Sequence, residues 1–153
     1  MSNQSVIDLL APVIARVREL NLDDPDGARV VLNTDYPADG KLLAGLAQLA
    51  TAGLAEGWLC NKESGGTRFS RVAKPEAAHG FSIDAVLLSS DGPAHRHTRG
   101  EVNCLLPLEG APKFCGIKPP WAVFAPGSRH VPSVAGGKML IFYMLPGGAI
   151  EWK

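Results

Sequence analysis

A chain of 153 residues with 46% hydrophobic and 20% charged side chains has the make-up of one globular domain. Fifteen basic residues balance fifteen acidic ones with no run of Lys or Arg, so neither nucleic acid nor an anionic membrane finds an electrostatic footprint. Apolar stretches such as 139–145 fall far below the ~20 residues that span a bilayer, and the first residues lack the basic start of an export signal.

The chain opens with apolar residues at helical spacing. Val6, Leu9, Leu10, Val13, Ile14, Val17 and Leu20 form one stripe, with Ser5 as the expected N-cap and Asp8 at the third helical position. Pro12 is expected to kink this helix or split it. A second stripe of Leu42, Leu43, Leu46, Leu49 and Leu54 follows the turn at 37–40, with Asp39 as its expected N-cap, and ends near Gly53 and Gly57. The rhythm changes near residue 60. After a loop at 61–66, extended runs are predicted at 67–72, 81–89, 95–105, 113–117, 121–125, 138–145 and 149–152, separated by Gly and Pro. Short strands at this spacing predict a sandwich or barrel. Residues 1–153 are therefore read as a single domain, with 1–60 a helical N-terminal extension and 61–153 the barrel. Cys60, Cys104 and Cys115 are odd in number and form no Cys-x-x-Cys pair. That predicts buried thiols in a reducing, cytoplasmic setting.

Three of the four histidines fall in two segments suited to binding a metal. In Gly92-Pro-Ala-His95-Arg-His97-Thr-Arg-Gly-Glu101, a strand would project His95 and His97 from one face, because the side-chain period is two. Glu101 follows across a probable turn at Gly100 and can return to the same pocket. In Pro126-Gly127-Ser-Arg-His130, a tight turn would present one more imidazole. Three imidazoles and a carboxylate suit Fe(II), Mn, Zn, Ni or Cu better than Ca or Mg.

These two segments resemble the motifs of the cupin superfamily: His-x-His-x3-Glu with a downstream glycine, here Gly110, and later a Pro-Gly turn followed by His. The resemblance runs over 67–152. It implies a mainly β fold, a double-stranded β-helix barrel behind the N-terminal helices, with His95, His97, Glu101 and His130 holding one divalent ion, Fe, Mn or Zn. The spacing departs from the superfamily pattern at Gly92 and Gly110, and Val134 stands where Asn is often found, but no ligand is lost. A narrower similarity spans nearly the whole chain. Arg68-Phe-Ser-Arg71-Val, His79-Gly-Phe-Ser-Ile-Asp84, His95-Arg-His-Thr-Arg-Gly-Glu-Val-Asn-Cys104 and Pro126-Gly-Ser-Arg-His130 resemble the bacterial 4-hydroxylaminobenzoate lyases. The resemblance implies conversion of 4-hydroxylaminobenzoate to 3,4-dihydroxybenzoate and ammonia, within nitroaromatic degradation.

That reaction is redox-neutral, and the chain carries none of the glycine fingerprints of nicotinamide or flavin sites. Beside the ligands, Glu101 and His79 are the expected catalytic groups, His79 as a proton shuttle. Arg71 is the expected clamp for the carboxylate of a small aromatic acid. Arg96 and Arg129 alternate with ligands and should point away from them, while strand packing accounts for Trp121 and Tyr143. A homodimer is expected, because the amphipathic N-terminal stripe can cover a neighbour's sheet. Two other functions fit the same motifs: an Fe(II)-dependent cupin dioxygenase acting on a small aromatic or thiol substrate, and a non-catalytic small-molecule-binding cupin.

Overall fold

A computed structural model describes residues 2–152. Helices α1 (Asn3–Val17), α2 (Pro25–Asp35) and α3 (Lys41–Glu56) come first. They are followed by nine strands among the described residues: β1 (Lys62–Ser64), β2 (Thr67–Ala73), β3 (Phe81–Leu88), β4 (His95–His97), β5 (Glu101–Phe114), β6 (Trp121–Phe124), β7 (Ser128–His130), β8 (Val134–Pro146) and β9 (Glu151–Trp152). The fold is mainly β behind an N-terminal helical layer, as the change of rhythm predicts.

The helix termini differ from expectation. Ser2 caps α1, and Ser5 is the third residue in, its hydroxyl accepting the Ser2 N–H at 3.2 Å. Pro12 lies inside α1 without breaking it. The ring is exposed, as is Asp8 one turn earlier, so water can serve the carbonyl that loses its helical donor. Gly40 caps α3 rather than Asp39, and α3 ends where Gly57 turns left-handed at φ 85°. Helix α2 escaped the periodicity because only Ala28 and Leu32 are buried along it. Its start was nonetheless written in Asp24-Pro25: the Asp24 carboxylate accepts the Gly27 N–H at 3.1 Å, and Pro25 sits where no helical donor is needed.

The strands form two sheets. One has six strands in the order β1-β2-β3-β8-β5-β6, the other three in the order β7-β4-β9. The extended run predicted at 95–105 is therefore two strands in different sheets, separated by Gly100 at φ 96°. The run predicted at 113–117 is not a separate strand. It is the end of β5 followed by a tight turn, in which Cys115 and Gly116 both take positive φ. Residues 62–64, read as loop, pair with β2, and β7 was too short to signal.

The six-stranded sheet is buried on both faces, which is why β8 reads as a continuous apolar run. One face, with Ile83, Ala85, Val102, Cys104, Leu140, Phe142 and Met144, packs against Val6, Leu10, Ile14, Leu32 and Leu46 of the helices. The opposite face, with Leu105, Ala122, Met139, Ile141 and Tyr143, forms a second cluster with Phe114. Trp121 fastens α2 to the sheet: its indole N–H donates to the Tyr36 carbonyl at 2.9 Å, and Arg29 donates to the Trp121 carbonyl at 2.8 Å. No helix among the described residues is long and apolar enough to cross a membrane.

Because Pro12 removes a helical hydrogen bond at an exposed position, Pro12→Ala should stabilise the protein. An interior proline costs a helix ~3 kcal/mol, and roughly 1 kcal/mol is returned through a stiffer unfolded chain. A net gain of about 2 kcal/mol is expected in urea unfolding, and no gain would show that the helix has adapted to the ring.

Candidate metal centre

Strand alternation and register assemble the centre. His95 and His97 leave β4 on one face, while Arg96 leaves on the other, where it meets Glu151 at 3.2 Å and the Gly127 carbonyl at 3.2 Å. Antiparallel pairing of β4 with β7 sets His95 directly opposite His130, with exposed Arg129 opposite Arg96. The turn before His130 is held by the Gly127 N–H donating to the His97 carbonyl at 2.6 Å, and by the Ser128 hydroxyl donating to the Ala125 carbonyl at 2.6 Å. Gly100 then carries the chain across to the large sheet, where Glu101 opens β5 and faces back toward the imidazoles.

The four side chains meet at one point, with one candidate ligand atom from each lying within 4.8 Å of the others. His95 Nε2 is 3.0 Å from His130 Nε2 and 3.4 Å from Glu101 Oε2. His97 Nε2 is 3.2 Å from Glu101 Oε2, and His130 Nε2 is 3.8 Å from Glu101 Oε1. Ligands placed ~2.1 Å from a shared ion would lie roughly 3.0–3.4 Å apart at octahedral or tetrahedral angles. Most of these separations match.

Polar satisfaction points the same way. Glu101 Oε2 and both ring nitrogens of His97 are buried with no hydrogen-bond partner among the described residues, which would be costly unless a cation served them. Burial, followed by the neighbouring charge of His95, lowers the His97 pKa to about 4. Burial, with His95 and His97 nearby, lowers that of His130 to about 3. Both imidazoles therefore present lone pairs at neutral pH. Burial raises the pKa of Glu101, opposed by hydrogen bonding and charge from His95 and by Asn103. The donor set fits a divalent transition ion.

Further residues support the centre. The Asn103 amide donates to Glu101 Oε1 at 2.8 Å, His95 Nδ1 lies 3.2 Å from the Pro93 carbonyl, and His130 Nδ1 lies 3.9 Å from Cys115 Sγ. Such contacts orient ligand groups. Phe124 packs edge-on to His130 at 4.2 Å and to His97 at 5.7 Å, while Phe114 and Tyr143 continue the aromatic wall. Sequence reasoning missed Asn103, although its even offset from Glu101 on one strand was a usable signal.

The other two expected site residues fall elsewhere. Arg71 is half exposed at the end of a cross-strand row formed by Arg71, Asp84, Tyr143 and Asn103, each opposite the next on the inner sheet face, and its guanidinium donates to Asp84. Two strand spacings, ~9.5 Å, separate its backbone from that of Tyr143. His79 is not brought to the centre. It is exposed, with φ 55°, and lines a separate surface hollow with Arg18 and Arg99. Helical and turn geometry around 74–80, invisible to motif reading, puts it there.

His95→Ala or His130→Ala should reduce bound metal severely while the fold survives on its two apolar clusters. Full occupancy of either variant by elemental analysis would remove that residue from the ligand set.

Comparison with known proteins agrees with the resemblance noted in the sequence. A family model described as PnbB, 4-hydroxylaminobenzoate lyase, matches residues 8–152. The chain is similar to a 4-hydroxylaminobenzoate lyase of Pseudomonas putida, 32% identical over 95% of this chain and 90% of that protein. It is also similar to one of a Nocardioides strain, 33% identical over 97% of this chain and 94% of that protein. Among solved structures, an RmlC-like cupin protein of Ralstonia eutropha aligns over 58% of this chain and 60% of its own, with a TM-score of 0.43 and 15% identity. With matches that run from the first helix to the last strand, through all four candidate ligands, the chain belongs to the 4-hydroxylaminobenzoate lyase family.

Proposed function

We propose that this chain converts 4-hydroxylaminobenzoate to 3,4-dihydroxybenzoate and ammonia, using one divalent ion, Fe, Mn or Zn, held by His95, His97, Glu101 and His130. The observation that carries this reading is the convergence of those four side chains on a buried point in a chain that matches its lyase relatives over nearly its whole length. The reaction consumes water, releases ammonia, and takes its oxidising equivalent from the N–O bond, so no external electron carrier is needed. A bound divalent ion would supply Lewis acidity toward the hydroxylamino oxygen, or a water of lowered pKa.

The chain's own groups divide the remaining work. Glu101, held by Asn103, keeps a carboxylate beside the reacting end. Phe114 packs against both Phe124 and Tyr143, an aromatic wall suited to a flat aromatic substrate and able to exclude bulk water. In this reading Arg71, on the same sheet face as Tyr143, receives the far carboxylate by exchanging or sharing its Asp84 partner. The three free thiols suit a cytoplasmic enzyme, and residues 1–153 act as one domain in this reading.

The decisive experiment is anaerobic incubation of metal-loaded protein with 4-hydroxylaminobenzoate. Ammonia and 3,4-dihydroxybenzoate should form one to one. Absence of ammonia from a metal-loaded sample would overturn the reading, and product formation only with oxygen would point to a dioxygenase instead. Arg71→Ala should raise KM about ten-fold with metal content unchanged. That is the lower end for a charge-assisted bond, because the side chain is half exposed and already paired. Unchanged kinetics would make it a surface ion pair. The α1 stripe packs on this chain's own sheet, so the homodimer expected from the sequence needs another surface, and a monomeric mass in light scattering at high concentration would exclude that assembly.

A further inference from the structure

Tyr143 stands in the middle strand of the row that links Arg71 to Asn103. Its ring lies edge-on to His95, with centroids 6.3 Å apart, and to Phe114 at 6.1 Å. Only 7% of the residue is exposed, and its hydroxyl makes no hydrogen bond among the described residues. The hydroxyl is not among the fully buried polar atoms left without a partner, so it reaches open space where a ligand group could meet it, and a wall that needed only packing would be served by another Phe.

We infer that Tyr143 is a catalytic residue whose hydroxyl donates a hydrogen bond to the reacting para substituent of an aromatic acid, with that acid's carboxylate directed toward Arg71. Geometry supports this orientation. Tyr143 is beside the ligand His95, and Arg71 lies two strands away on the same face, so a benzoate ring lying along the row would span from one to the other. A donor at the hydroxylamino oxygen stabilises charge that grows there as the N–O bond lengthens, and so favours the transition state over the bound substrate. The inference rests on the substrate class proposed above and deepens it by assigning the polar contact that selects the para group.

The test compares metal-loaded wild-type protein with Tyr143→Phe, which keeps the ring and removes only the hydroxyl. The probes are 4-hydroxybenzoate and 4-methylbenzoate, which share shape and charge but differ in whether the para group accepts a hydrogen bond. The variant should retain its metal and its thermal midpoint. It should bind 4-hydroxybenzoate about five- to ten-fold more weakly, as expected for one neutral hydrogen bond, and bind 4-methylbenzoate as before. With 4-hydroxylaminobenzoate, kcat should fall more than KM rises. Equal weakening of both probes would reduce Tyr143 to a packing residue, and unchanged affinity for both would place its hydroxyl away from the ligand. If neither acid binds wild-type protein, the substrate class itself is wrong, and this inference falls with it.

Discussion

Burying a carboxylate against three imidazoles constrains everything else in this protein. Glu101 and His97 are completely buried, His95 nearly so, and His130 only slightly exposed. In an apolar interior each of these groups would be costly on its own. They are tolerable together because they converge at ligand spacing, where a single cation can satisfy what hydrogen bonds leave open. The surrounding architecture keeps the four groups dry and in register. The small sheet supplies three imidazoles from two short strands, and the large sheet supplies the carboxylate from the opposite side.

Holding that arrangement requires a rigid large sheet, and the helices provide the rigidity. Strands β3, β5 and β8 bury residues on both faces, one against the helices and one in a second apolar cluster whose Phe114 and Tyr143 meet the imidazoles. Cutting away the helical layer would expose Leu140, Phe142 and Met144 on the back of the strand that carries Tyr143 on its front. The clasp of Arg29 and Trp121 ties α2 to β6, and β6 also carries Phe124, which packs against two of the imidazoles. A helix far from the chemistry thus fixes an aromatic wall of the site.

The inner face also has a polarity gradient that chemistry can use. Along one row of backbone pairing, the groups run from the exposed Arg71–Asp84 pair, through Tyr143, to Asn103 and the Glu101 carboxylate it holds. An exposed ion pair lies at the open end and the candidate metal ligands at the dry end.

Local chemistry made much of this legible before any fold was seen. His95-x-His97 marks two side chains on one strand face because strand periodicity is local, and the Pro-Gly turn before His130 is equally local. The apolar stripes of α1 and α3, and the unbroken apolar run of β8, follow from spacing alone. Helix α2 was hidden because its role is to cover a sheet edge with two buried side chains, too few to make a stripe. His79 looked catalytic as a residue type, but the left-handed backbone at that position turns it into a different hollow. The meeting of His95 with His130, the return of Glu101 from another sheet, and the alignment of Arg71, Tyr143 and Asn103 depend on hydrogen-bond register between strands distant in sequence. The sequence by itself determined which side chains alternate inward along each strand, because that follows from backbone geometry. Only the tertiary structure decided which of those inward residues face one another, because strand pairing is a long-range choice settled by burial of both sheet faces together.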